Sequence, residues 1–192
     1  MDNTTTLWII IATAAVAIVL IVALVARHRA RVRSAELRAH FGPEYDRAVE
    51  EAGDARHAER ELAARERRVA HFHFYDLSPA DRARFTAKWH RIQAQFIDDP
   101  AVAVAGANDL ITEVMRARGY PTENFDQRVA DLSVEHPDVI QHYRAARALS
   151  EPSRNGQINT EELRQAVVHY RFLFSDLLQE ASSTESLRHA HA

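Results

Sequence analysis

Residues 160–178 read TEELRQAVVHYRFLFSDLL. Their apolar side chains recur at intervals of three and four residues: Leu163, Ala166, Val167, Tyr170, Leu173, Phe174, Leu177 and Leu178. This spacing places them on one face of a helix, with charged and amide side chains on the other. The segment therefore predicts a long amphipathic helix that packs its apolar face against other helices.

Four segments before it show the same helical spacing, and each opens with a capping residue or a proline. Their apolar positions are Phe85, Trp89, Ile92 and Phe96; Val102, Ala105, Leu110, Val114 and Met115; Phe125, Val129 and Leu132; and Val139, Ile140, Tyr143 and Ala146. No segment alternates apolar and polar residues over a sustained run, so no strand is predicted. The sequence predicts an all-α fold with a bundle of about four to five helices over residues 78–180.

Residues 43–77 are polar and rich in alanine, glutamate and arginine. Their apolar positions are few, and Leu62 and Val69 form only a weak heptad that Gly53 interrupts. We expect a solvated stalk helix here, with a low-grade coiled coil as the alternative. The polar composition of residues 181–192 predicts a flexible tail.

Residues 7–26 read LWIIIATAAVAIVLIVALVA, which is an uncharged run long enough to cross the roughly 30 Å hydrocarbon core of a bilayer as a helix. The preceding MDNTTT carries Asp2 and no basic residue, and Leu24 occupies the −3 position of a cleavage site after Ala26, so a cleaved signal peptide is disfavoured. The run predicts a transmembrane helix, preceded by a short extracytoplasmic N-terminus, residues 1–6.

Arginines follow that run directly, within the basic segment 27–42. Basic residues stay on the cytoplasmic side of a membrane, so the pattern predicts a single-pass protein of the inner (cytoplasmic) membrane with its N-terminus outside and its C-terminal domain in the cytoplasm. Setting this topology is one role for the arginines. Contact with anionic lipid headgroups is the other, and the candidates are Arg27, Arg29, Arg31 and Arg33.

Composition excludes several functional classes. The chain of 192 residues has a net charge of −3, and the part beyond residue 40 carries 19 basic and 25 acidic residues, which disfavours nucleic-acid binding. The absence of cysteine excludes disulfides and thiolate chemistry. No phosphate-binding loop, dinucleotide fingerprint, serine-hydrolase elbow or zinc-protease motif is present. We therefore predict neither an enzyme nor a cofactor.

One segment, residues 151–162 (EPSRNGQINTEE), resembles a degenerate calcium-binding EF-hand loop around Gly156. Its candidate oxygen ligands are Glu151, Ser153, Asn155, Asn159 and Glu162. Only two are carboxylates, and Pro152 stiffens the second position, so we predict an empty loop in which Asn159 or Thr160 caps the following helix. The histidines lack the i, i+4 spacing with a nearby acid that helical zinc sites use, so no metal site is predicted.

Several longer strings in the chain carry a resemblance to a known group of proteins: FGPEYDR (41–47), RGYP (118–121), DLSVEHP (131–137) with Tyr143-Arg144, and TEELRQAVVHYRFLF (160–174). Together, over roughly residues 36–178, they resemble an uncharacterised family of small single-pass membrane-anchored bacterial proteins. The resemblance implies no activity and no catalytic residue.

These observations favour a membrane-anchored protein-interaction or scaffolding module whose protein partner is unidentified. Its candidate contact surface consists of Arg118, Tyr120 and His136, which the sequence places in turns, where binding residues concentrate. Two alternatives stay open. One is a divalent-cation sensor that uses residues 151–162, and the other is an enzyme with a site assembled from scattered histidines and carboxylates.

Overall fold

The computed structural model describes the backbone of residues 3–150 and 159–179, and the side chains of residue 14 and of residues 16–150 and 159–178. Every regular element within these ranges is a helix, which confirms the all-α prediction. The helices are α1 (Asn3–Phe41), α2 (Pro43–Ala52), α3 (Ala55–Val69), α4 (Pro79–Gln95), α5 (Pro100–Ala117), α6 (Phe125–Glu135), α7 (Ile140–Ser150) and α8 (Thr160–Gln179).

The chain divides into two compact units, residues 1–40 and 41–192. The first consists of most of α1. Its large apolar side chains between Val16 and Val25 are exposed to solvent by 45–67%. The second unit holds α2 to α8 and contains the features described below.

The predicted transmembrane helix over residues 7–26 is contradicted. Among the residues that the structure describes, no helix is both long and apolar enough to cross a membrane.

Other predictions depended on that helix and are corrected with it. They are the single-pass inner-membrane location, the outside N-terminus over residues 1–6 with a cytoplasmic domain, and the description of the chain as membrane-anchored. The suggested lipid contacts of Arg27, Arg29, Arg31 and Arg33 stay a prediction.

Residues 43–77 form two helices and an extended linker instead of one stalk helix. Gly53 ends α2 in the left-handed conformation, with φ at 69°, and Asp54 then caps α3 by accepting a hydrogen bond from the backbone N–H of His57. The two helices pack against each other, and α3 also packs against α6. Leu62 and Val69, the weak heptad of the sequence, are buried in this packing and are not part of a coiled coil within the chain.

The five helices α4 to α8 form the predicted bundle, and α8 lies at its centre, packed against α7 and α5. The apolar face predicted for α8 is confirmed, since Leu163, Ala166, Tyr170, Leu173, Phe174 and Leu177 are all buried. The Trp89 ring stacks on Phe174, with ring centroids 4.9 Å apart, so this tryptophan belongs to the core as expected. The predicted helix starts also hold, because Ser78 and Asp99 cap α4 and α5 with their side chains.

The extended linker between α3 and α4 crosses the C-terminal end of α5. The backbone N–H of Tyr75 donates a 3.0 Å hydrogen bond to the carbonyl of Arg118, and the Phe74 ring lies against Tyr120. Gly119 makes this crossing possible. Its φ is +93°, and a Cβ there would lie 2.3 Å from the carbonyl oxygen of His73.

We expect Gly119→Ala to destabilise the fold more than Gly53→Ala. Both glycines have positive φ, which costs about 1–2 kcal/mol for alanine, but the space around Gly53 is open. At Gly119 the displaced linker adds about 1–3 kcal/mol. Urea denaturation followed by circular dichroism measures both variants, and equal losses would contradict the crossing described here.

Alkaline titration tests the packing of the core tyrosines. Burial raises the pKa of Tyr170 from 10.0 to about 12, and it also raises the pKa of its neighbour Tyr143. An unfolded tyrosine ionises near pH 10, so the stability from keeping Tyr170 neutral is present below pH 10 and is lost as the pH rises through about 12. We expect ultraviolet absorbance to show tyrosines that ionise above pH 10, and Tyr170→Phe should remove the one that ionises near pH 12. Ionisation of every tyrosine near pH 10 in the folded protein would contradict this.

Candidate functional site

A buried carboxylate joins three helices of the second unit. Glu44 lies in the first turn of α2, and only 1% of it is exposed. Arg144 of α7 binds both of its oxygens in a fork, with Nη2 2.7 Å from Oε1 and Nη1 on Oε2. Arg65 of α3 donates to Oε1 at 3.0 Å. Paired, charge-assisted hydrogen bonds of this kind are among the strongest that proteins form.

The local sequence explains the position of Glu44. Gly42 precedes the helix with φ at 49°, and Pro43 occupies its first position, where no backbone N–H is needed. Glu44 therefore lies in the first turn, where the partial positive charge of the helix N-terminus also favours a carboxylate. Its two arginine partners are themselves mostly buried, with side chains 10% and 17% exposed.

A cleft of about 820 Å³ opens beside this cluster, between α2, α3, α6 and α7. Its volume lies within the range of pockets that hold small ligands or several side chains of a partner. Four arginines line it, and two carboxylates, Glu51 and Asp126, oppose them. The arginines are Arg47, Arg65, Arg144 and Arg147. Positive charges therefore outnumber negative ones among the lining groups, in a chain whose net charge is −3. Arg47 pairs with Glu51, and Arg65 pairs with Glu61 as well as with Glu44.

The N-terminus of α6 forms one wall of the cleft. Asn124 caps this helix by accepting hydrogen bonds from the backbone N–H groups of Asp126 and Gln127. The Phe125 ring lines the cleft, and the guanidinium of Arg147 lies 5.2 Å from its centroid. The cleft therefore combines cationic groups with an apolar aromatic face.

A second buried carboxylate lies next to the cleft. Asp131 of α6 accepts hydrogen bonds on Oδ1 from Arg68 and Gln127, each at 2.8 Å, which fastens α3 to α6. Its other oxygen, Oδ2, is buried without a hydrogen-bond partner among the residues described. Glu44 and Asp131 thus bind two arginines of α3 that are three positions apart, and together they fasten this helix to α2 and α6.

The three residues of the predicted contact surface are buried. Arg118, Tyr120 and His136 are 7%, 3% and 4% exposed. The Tyr120 hydroxyl lies 3.2 Å from Nε2 of His136, and Nδ1 of His136 pairs with Asp176, a partner that the sequence analysis missed. Arg118 donates to the carbonyl of Leu177 at 3.0 Å. The prediction of an exposed surface is corrected here, because these side chains fasten turns to α8 inside the bundle.

Only part of the candidate calcium loop lies in the described chain. Glu151, Ser153 and Asn155 are outside it. Asn159 and Glu162 form a reciprocal cap on α8, in which Asn159 Oδ1 accepts from the Glu161 N–H and Glu162 accepts from the Asn159 N–H. The predicted capping by Asn159 is confirmed. Within the described residues no group of three or more histidines and carboxylates could hold a metal ion.

No motif or spacing in the sequence singles out the arginine cluster, which consists of Glu44, Arg65 and Arg144. Glu44 and Arg144 nevertheless occur in two of the strings quoted above, FGPEYDR and Tyr143-Arg144. The signal available was a glutamate directly after Gly42-Pro43 at a helix start. Its partner could not be identified, because the two residues are 100 positions apart in the chain.

We expect Glu44→Gln to be strongly destabilising, by about 3–5 kcal/mol, because it leaves two mostly buried arginines without their counter-charge. Glu61→Gln provides the matched control, since Glu61 contacts the same Arg65 at 3.3 Å but is half-exposed, and its loss should cost less than about 1 kcal/mol. Thermal or urea denaturation of both variants measures the difference. Similar stabilities for the two would show that the cluster does not hold the three helices together.

Comparison with known proteins yields no match to a family model, to a curated protein or to a solved structure. The geometry of the cleft and the chemistry of the residues that line it therefore carry the functional inference.

Proposed function

We propose that this chain is a non-catalytic helical interaction module whose arginine-lined cleft binds an acidic segment of a partner protein. The cleft itself is the observation that carries the proposal, because it is wide, open to solvent and lined by more cationic than anionic groups. Arginine suits such a role, since its planar guanidinium recognises carboxylates through paired hydrogen bonds.

The cluster beneath the cleft supports this proposal by fixing the cationic lining. Glu44 holds Arg65 and Arg144 in set rotamers, so these side chains lose little conformational freedom when a ligand arrives. Arg47, with 42% of its side chain exposed, and the partly exposed Arg147 can exchange their contacts for those of an incoming carboxylate. Phe125 offers an apolar face beside these charges, as expected where a peptide side chain must also find packing contacts.

The geometry gives less support to the enzymatic alternative. A histidine, a carboxylate and a tyrosine do converge, at His136, Asp176 and Tyr120. The His136 and Tyr120 side chains are buried, however, and Asp176 alone is open to solvent, at 38% of its side chain. A substrate could not approach the two ring systems without displacing the core. The cation-sensor alternative rests on residues 151–162, of which 151–158 lie outside the described residues, and it stays a prediction.

Binding of a fluorescently labelled oligo-glutamate peptide tests the proposal. A peptide of about eight residues spans roughly 26 Å when extended, which is ample for the cleft. We expect anisotropy to detect binding that weakens as salt is added, because exposed charges are screened. Arg147→Glu should reduce the affinity about tenfold, which corresponds to roughly 1.4 kcal/mol.

Arg67→Glu serves as the matched control. Arg67 is exposed on α3, one of the helices around the cleft, but it does not line the cleft. Both substitutions change the net charge equally, so a general electrostatic attraction would weaken equally in both. An equal loss in the two variants, or no binding by the unmodified chain, would overturn the proposal.

A further inference from the structure

A pair of histidines lies outside the cleft, where α7 meets α8. Nδ1 of His142 is 2.8 Å from Nδ1 of His169, and both residues are half-buried. The Phe172 ring stacks on His142 with centroids 4.5 Å apart and planes 15° apart, which limits rotation of the imidazole. The two nitrogens therefore face each other at the surface of the bundle in a defined geometry.

In this arrangement one Nδ1 carries a proton and donates it to the other. The same two atoms become paired ligands when both imidazoles carry their proton on Nε2 instead. Neutral imidazole is the commonest metal ligand in proteins, and binding through either ring nitrogen occurs.

The 2.8 Å separation of the two Nδ1 atoms fits a right angle at a metal ion that binds both of them. Imidazole nitrogens bind such ions at about 2.0–2.1 Å, and two nitrogens 2.8 Å apart then subtend roughly 85–90°. That is the angle between neighbouring ligands of a square or octahedral site, and it is narrower than the tetrahedral angle that zinc favours. Tetragonal geometry with nitrogen and oxygen ligands is typical of Cu²⁺ and Ni²⁺.

We propose that His142 and His169 form a two-histidine chelate that binds Cu²⁺ or Ni²⁺ through their Nδ1 atoms. Water completes the coordination, since the described residues bring no third histidine or carboxylate to the pair. The bound ion would link α7 to α8 across 27 positions of the sequence. This proposal does not depend on the arginine-lined cleft, which other residues form.

Calorimetric titration of the full chain with Ni²⁺ tests the chelate, with His142→Ala, His169→Ala and the double variant for comparison. A chelate acts as a unit, so each single substitution should weaken the strongest site at least tenfold, and the double substitution should weaken it no further. His90→Ala is the control, because His90 is exposed on α4 and should leave the strongest site unchanged. Strong binding that survives in both single variants would overturn the proposal.

Two further measurements keep the test independent of folding defects in the variants. The paramagnetic resonance spectrum of Cu²⁺ on the unmodified chain should show a tetragonal ion with hyperfine splitting from two nitrogens. Ni²⁺ should raise the Tm of that chain, because it binds the folded state, whereas Mg²⁺, which prefers oxygen ligands, should not. A spectrum with one nitrogen, or an unchanged Tm at saturating Ni²⁺, would contradict the chelate.

Discussion

The carboxylate of Glu44 is held out of water, and a buried charge is tolerated only when other charges and hydrogen bonds compensate it. Arg65 and Arg144 supply that compensation, and in doing so they fix α3 and α7 against the start of α2. The cleft lies between these helices, so its shape depends on this one cluster. The same two guanidiniums then serve as part of its lining.

Several contacts between helices of the second unit are made by buried polar groups. Asp131 fastens α3 to α6 through Arg68, and His136 fastens the end of α6 to α8 through Asp176. The apolar core of α4 to α8 fills the interior of the bundle, and these buried polar contacts fasten neighbouring helices to one another. Removing one partner of such a contact leaves a buried polar or charged group without compensation. Substitutions at these contacts therefore lower the free energy of unfolding more than substitutions at exposed ion pairs do.

The bundle could be predicted from the sequence because the signals that predict its helices are local. The spacing of apolar residues along α8 and the capping residues Ser78 and Asp99 are properties of short segments. The cleft could not be predicted, since its cationic lining comes from helices far apart in sequence. The position of Arg118, Tyr120 and His136 in turns suggested exposure, yet the linker before α4 covers that region by packing Phe74 on Tyr120. In residues 43–77, Gly53 ends α2 at a point where the polar composition suggested one continuous helix.

The contact between Glu44 and Arg144 closes a loop of 100 residues. Closing a loop of that length has an entropic cost, which the contacts of the folded unit must offset. Because α2, α3, α6 and α7 all line the cleft, it exists only where these four helices are assembled. A ligand that occupies the cleft binds only the folded state and therefore stabilises it. We expect such a ligand to slow the detachment of α2 and α3 from the bundle and to protect the chain from proteolysis.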